Sequence, residues 1–181
     1  MKTHFGVAIT SLLAGALLAL VPRPGGAASS GARERDFLTE AASGGQMEVE
    51  LGRMAATHAS SPRVKEFGQR MATDHGKANA ELKRVAAKES VKLPDTMTAE
   101  HRERVSRLAN LQGPEFDRAY MREMVRDHEE DVAKFRETAH SAKDPEIKNF
   151  AAKTLSTLEA HLQMAQNVAE ASRATSGGRR R

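Results

Sequence analysis

Four stretches of the chain place acids and imidazoles on helical faces that should be apolar: Glu48, Asp74-His75, Asp127-His128 and His161. A carboxylate or imidazole buried without a partner is costly, so such groups are paired, metal-bound or set at the edge of the apolar stripe. Glu, Asp and His brought together from facing helices form an oxygen/nitrogen donor set suited to iron, manganese or zinc. Glu48, His75, Asp127, His128 and His161 are therefore the candidate metal ligands. Their spacing departs from that of a di-iron carboxylate bundle, which takes one Glu from each of two helices and Glu-x-x-His from the other two. The residue three before His75 is Ala72, and three before His161 it is Leu158. The Asp-His dipeptides point their two side chains about 100° apart on a helix, so both cannot aim at one centre. A complete di-metal oxidase site is not expected. Two readings stay open: a mononuclear or degenerate metal site, and a buried polar network that fixes helix register through Asp74 and Asp127.

Other chemistries find little support. Cysteine is absent, which excludes disulfides, a lipidated cysteine and thiolate chemistry. There is no Gly-rich phosphate loop, serine nucleophile elbow or zinc-protease motif. No catalytic residue is assigned, and the balance is against an enzyme. His58, His101 and His140 fall near helix ends or in a connection and read as solvated or capping. The eight methionines are spread along the chain and read as core fillers. Gly44-Gly45 and Gly52 interrupt a helix interior, where glycine costs about 1 kcal/mol, and read as close helix approaches or a kink.

These residues need long helices to position them. Between Arg33 and Ser172 the chain is rich in Ala, Leu, Met, Glu, Lys and Arg, all good helix formers. Prolines just after Ser or Asp mark helix starts at Pro62 and Pro145, while Pro94 and Gly113-Pro114 bracket a connection. The pattern predicts helices over 34–59, 62–89, 114–141 and 145–172, each with an apolar stripe at helical spacing, such as Val64, Phe67, Met71, Leu82 and Val85 in the second. The first pair and the last pair are joined by short turns and form antiparallel hairpins. The connection 89–114 is longer and holds its own short helix, capped by Thr98 and closed by Gly113. The expected fold is all-α: an antiparallel four-helix bundle of the ferritin-like kind, with one long crossover carrying a short extra helix. On that topology, at 1.5 Å rise per residue, Glu48, His75 and His128 lie within roughly 3 Å in height, with Asp127 beside them and His161 about 6 Å away.

The ends read differently. Lys2, the apolar run Phe5–Val21 and the small residues through Ala28 have the order of a cleavable signal peptide. The domain organisation is then a signal peptide over 1–28, a flexible segment over 29–35, the bundle over 36–172 and a basic disordered tail over 173–181. Loss of Lys2 and Arg23 would lower the formal charge from +4 to +2. Arg173 and Arg179–Arg181 offer at most a weak polyanion or membrane-surface contact. With one Tyr and no Trp, no specific nucleic-acid surface is expected.

Sequence texture repeats between the halves. Pro62-x-Val64-Lys65-x-Phe67 recurs as Pro145-x-Ile147-Lys148-x-Phe150, and Phe37…Glu48 as Phe116…Asp127, as in a duplicated hairpin. Met71-x-x-Asp74-His75 recurs as Met124-x-x-Asp127-His128, a match outside that scheme. Together with Asp36-Phe37-Leu38, Glu48-x-Glu50-Leu51-Gly52, Phe116-Asp117-x-x-Tyr120 and Asp144-Pro145, these motifs resemble the bacterial exported domain of unknown function 4142 (DUF4142), over about 36–170. The resemblance implies a ferritin-like bundle in the bacterial envelope, often labelled an outer membrane protein. It implies no particular activity.

The expected function is that of an exported bundle, periplasmic or attached to the outer membrane. It would be a non-enzymatic binding or structural protein that meets an envelope partner or itself. The alternative is metal handling or oxidative-stress protection through the mid-bundle Glu/Asp/His level.

Overall fold

Helix breakers divide the chain almost where the sequence predicts. The computed structural model describes the backbone of residues 26–177 and the side chains of 31–172. The proposed signal peptide over 1–28 lies, except for its last three residues, outside the described residues, as do Arg179–Arg181. The elements are α1 (Gly26–His58), α2 (Pro62–Lys88), α3 (Ala99–Ala109), α4 (Gly113–Ser141) and α5 (Pro145–Gly177). No strand is present among the described residues, and no helix of the described residues is long and apolar enough to cross a membrane.

Local chemistry accounts for most boundaries. Asp144 Oδ1 accepts from the amides of Glu146 and Ile147, both at 2.9 Å, and so caps α5 ahead of Pro145. Thr98 Oγ1 accepts from the His101 amide at 3.3 Å and caps α3. Gly113, at φ +59°, turns the chain from α3 into α4. The tail expected to be disordered from 173 is helical as far as Gly177, where α5 ends, and the expectation of a flexible 29–35 is corrected too. No breaker stands between Ala32 and Asp36, and α1 runs through that segment. Glu34, within it, accepts from the amides of Lys143 (2.6 Å) and Asp144 (3.1 Å) at the α4–α5 turn. The α1–α2 turn is pinned in the mirrored way. Asp117 of α4 accepts from the amides of Ser60 and Ser61, both at 3.0 Å, and from the Ser60 hydroxyl at 2.5 Å. Each hairpin thus lends a carboxylate to the other's turn.

The long helices form a ring. α1 packs mainly on α2 and α4 on α5, while α2–α5 and α1–α4 contacts close it. Neighbours around the ring are antiparallel, and the crossover carries α3 along α1 and against α4. This is the ferritin-like arrangement of two hairpins joined by one long connection. At Gly52 and Gly68 the first hairpin is unusually tight: a Cβ on Gly52 would sit 2.5 Å from the Gly68 carbonyl oxygen.

The core has two apolar halves. One holds Leu51, Phe67, Met71, Phe116, Tyr120, Met124 and Ala165; the other holds Leu38, Leu82, Phe135, Ile147, Phe150 and Leu158. Burying each such large side chain contributes about 1.5–3 kcal/mol. His75, His128 and His161 fall in sequence between members of the two halves. A polar belt therefore splits the core at mid-height.

Candidate metal centre

Every residue singled out for the belt is buried: Glu48 0% exposed, His75 7%, Asp127 4%, His128 0% and His161 1%. Three helices deliver one imidazole each, His75 from α2, His128 from α4 and His161 from α5. The ring centroids form a nearly equilateral triangle, with separations of 5.6 Å, 5.5 Å and 5.5 Å. One nitrogen of each ring lies within 4.8 Å of the other two. Glu48, Asp127 and His128 form a second such group, with His128 common to both.

The nitrogens can be accounted for one by one. His128 Nδ1 lies 2.9 Å from the Met124 carbonyl oxygen, which can only accept, so Nδ1 carries the proton. His161 Nε2 lies 3.2 Å from Asp74 Oδ2 and likewise donates. The lone-pair nitrogens left over, His128 Nε2 and His161 Nδ1, are buried without a partner, and so is His75 Nε2. Burial holds all three imidazoles below their ordinary pKa. For His75 the neighbouring His128 and His161 add to the effect, and His128 is pushed down to about 4. At neutral pH they are uncharged lone-pair donors.

The outward-pointing acid of each Asp-His dipeptide has its own task. Burial works against the Asp74 carboxylate, but hydrogen bonds from Arg70 and His161 outweigh it and hold its pKa below the usual range. Asp74 therefore orients His161 rather than competing for an ion, as a carboxylate behind a metal-bound histidine does. Asp127 Oδ1 accepts from Arg104 Nη1 at 2.7 Å, and its Oδ2 is buried without a partner. Glu48 faces this side, with Oε1 3.8 Å from His128 Nδ1 and, as a carboxylate, both oxygens lacking a partner. Complete burial, then the Asp127 charge and a hydrogen bond shared, once protonated, with the Asp127 carboxyl, push the Glu48 pKa well above the usual range. Tyr120 is raised by the same burial and by Glu48.

Of the five candidate ligands, His75, His128 and His161 form one close group. Glu48 and Asp127 share another, on the far side of His128. Sequence reasoning missed Arg104, 5% exposed, which α3 inserts against Asp127 and beside Glu123, Glu130 and Glu100. An arginine in an amphipathic crossover helix gives no sign of pointing inward. The reading of His101 as solvated or capping is corrected. It is 4% exposed, and its Nδ1 lies 2.6 Å from Ser43 Oγ, with Nε2 3.7 Å from Glu40. Ser43 is wholly buried and accepts the Thr98 amide at 2.8 Å. The trio thus anchors the crossover and presents no nucleophile to solvent. The methionines, scattered in sequence, gather in space: Met47, Met71, Met121 and Met124 lie in one core half, with Met54, Met97 and Met164 packed against it.

The comparisons agree with this architecture. The family model described as "Domain of unknown function (DUF4142)" matches residues 20–168. Among solved structures, the Cu(II)-bound form of CopM aligns at TM-score 0.64 and 18% identity, covering 76% of this chain and 95% of its own. A DUF305 fragment from Deinococcus radiodurans aligns at TM-score 0.67 and 14% identity, with coverage of 76% and 95%. A DUF305 protein from Streptomyces coelicolor, described as secreted, aligns at TM-score 0.66 and 12% identity, with coverage of 77% and 92%. At such identities the likeness is one of fold. A search of curated proteins finds no match.

Proposed function

This chain belongs to the DUF4142 family, and we propose that it is an exported metal-handling bundle that holds one divalent ion, copper or zinc, on His75, His128 and His161. One observation carries the reading. Three helices each bring a neutral imidazole to one place, and each has a buried nitrogen that no protein group satisfies. An unpaired buried nitrogen is a standing cost, and an ion would satisfy all three at once. With bonds of about 2.0–2.1 Å, the ion would draw the nitrogens to about 3.3–3.6 Å apart. That asks for a modest contraction of rings now grouped within 4.8 Å.

The donor set favours copper and zinc over the iron and manganese that a Glu/Asp/His mixture suggests. Imidazole suits copper and zinc, whereas manganese favours carboxylate and water. Here burial pushes the Glu48 pKa well up, which disfavours its carboxylate form, and Asp127 is held by Arg104. CopM, which shares the fold, has been seen with Cu(II) and with Cu(I) bound. A centre this enclosed suits buffering or carriage of an ion in the periplasm or at the outer membrane better than turnover of a substrate.

Titration of the metal-free protein with Cu(II) or Zn(II) against a competing chelator tests the proposal. It should give one equivalent per chain, with affinity falling on the order of 100-fold or more in each of His75→Ala, His128→Ala and His161→Ala, at or beyond the loss of an outer-shell partner. Equal binding by the wild type and the triple variant would remove the centre. A protein that takes up no ion would leave a structural or partner-binding role.

A further inference from the structure

A centre buried in a four-helix ring needs a way in. The Asp74 side is guarded by cations, with Arg70 Nε 2.5 Å and Lys77 Nζ 3.7 Å from the Asp74 carboxylate. The Asp127 side is stoppered by the Arg104 guanidinium. The first would repel a metal ion, and the second is plugged by a guanidinium already held by Asp127, Glu100, Glu123 and Glu130.

The α1–α4 seam is different. Towards the α4–α5 turn it opens into a cleft of about 500 Å³, floored by Phe37, Ala41 and Phe135. Its lining carries five carboxylates, among them Glu40 and Asp131, against Arg33 and Lys134. Deeper in, residues of all four long helices enclose a chamber of about 20 Å³. That is room for one water-sized occupant. Its polar lining is Asn79, Asp131, Thr154 and His75, the last of which has the unpartnered Nε2. Gly45 in its wall leaves room for the Asn79 amide: a Cβ there would stand 2.0 Å from Asn79 Oδ1. Ala41, Asp131 and Phe135 line both the cleft and the chamber and so form the neck between them.

We propose that cations reach the three-imidazole centre through the α1–α4 cleft, with the Asp131 carboxylate relaying them across the neck to the chamber beside His75. The inference rests on the proposed centre and adds its access route. Acid lining concentrates cations at the mouth. Once ionised, the Asp131 carboxylate at the constriction replaces part of the hydration shell an ion must shed, and the chamber then delivers it to the first imidazole.

Rapid mixing of metal-free protein with Cu(II), followed through the copper–imidazole absorption, reads the association rate. Chelator-driven release reads dissociation, and equilibrium titration gives Kd. Above about pH 8, where Asp131 is ionised, the nearly isosteric Asp131→Asn should slow association on the order of tenfold and weaken its dependence on salt. Ala41→Leu, which narrows the neck without altering charge, should slow association and release together and leave Kd nearly unchanged. Folding of both variants is checked by helical circular dichroism. Wild-type rates in both folded variants, with a normal Kd, overturn the route while leaving the centre intact. Failure of the wild type to bind Cu(II) at all removes the centre instead.

Discussion

His161 donates through Nε2 to Asp74 Oδ2 across 3.2 Å, bridging α5 and α2 and leaving Nδ1 buried without a partner. The bond fixes both the tautomer and the ring plane of the one belt imidazole whose helix enters from the opposite direction. Asp74→Ala is therefore expected to weaken ion binding about 10–100-fold, the usual cost of losing an outer-shell partner. Because Asp74→Ala also leaves the buried His161 Nε2–H without an acceptor, the metal-free variant should lose about 1–3 kcal/mol of stability as well. Chelator competition beside a thermal melt checks both.

Arg104 and Asp127 form the most buried ion pair of the crossover, at 2.7 Å with both side chains 6% exposed. Removing one charge strands the other. Arg104→Met should destabilise the protein by about 3–5 kcal/mol. The double variant Arg104→Met/Asp127→Asn should recover much of that loss, because no unpaired ion remains. Denaturant unfolding of the four proteins, as a double-mutant cycle, measures the coupling.

The belt also sets a pH signature for the metal-free protein. His75, His128 and His161 have folded pKa values below the ordinary one, His128 at about 4. Between pH 4 and about 6.5 the unfolded chain binds protons that the folded chain refuses, so their contribution to stability grows as pH rises. Glu48 is raised well above its ordinary value, and burial and then Asp127 push Asp131 to about 8. Their contribution is present at low pH and is lost as pH rises through the folded values. The imidazole contribution rises up to about pH 6.5, and above it only the two carboxyls still titrate. Thermal melts should show maximal stability near pH 6.5, declining on both sides, and Glu48→Gln should make the alkaline arm shallower.

Beside the belt, α1 and α2 touch closely. A Cβ at Gly52 would stand 2.8 Å from the Ala72 amide nitrogen as well as 2.5 Å from the Gly68 oxygen. Backbone cannot yield as a side-chain tip can. Gly52→Ala should cost about 1–3 kcal/mol through overpacking, despite alanine's better helix propensity, and should weaken ion binding by displacing Glu48 and His75 relative to each other. Denaturant unfolding and ion titration read the two effects.

Much of the bundle is legible in the amino-acid sequence. Pro62, Asp144-Pro145 and Thr98 mark helix starts because their chemistry is local. Counting 1.5 Å per residue places Glu48, His75 and His128 at one height because two hairpins and a crossover leave little freedom. Three features depend instead on which neighbour each side chain meets. The 100° splay within Asp74-His75 reads in sequence as an obstacle to metal binding, yet it aims Asp74 at His161 of another helix. Arg104 turns inward only because α3 lies beside the Asp127 face of α4. The methionines gather in one core half because they fall late in α1 and α5 and early in α2 and α4, which brings them together once neighbouring helices run opposite ways. The Met-x-x-Asp-His match between α2 and α4 likewise gains meaning from the fold. Those two helices run parallel across the ring, and the repeat sets His75 and His128 level.

Three imidazoles should meet one ion, and an anomalous-scattering map of crystals grown with one equivalent of Cu(II) or Zn(II), recorded at that metal's absorption edge, locates that ion. The expected result is a single peak inside the ring, about 2.0–2.1 Å from His75 Nε2, His128 Nε2 and His161 Nδ1, with Asp74 still bonded to His161. A peak held by surface residues, or one lying between Glu48 and Asp127 with the three imidazoles unmoved, would contradict it.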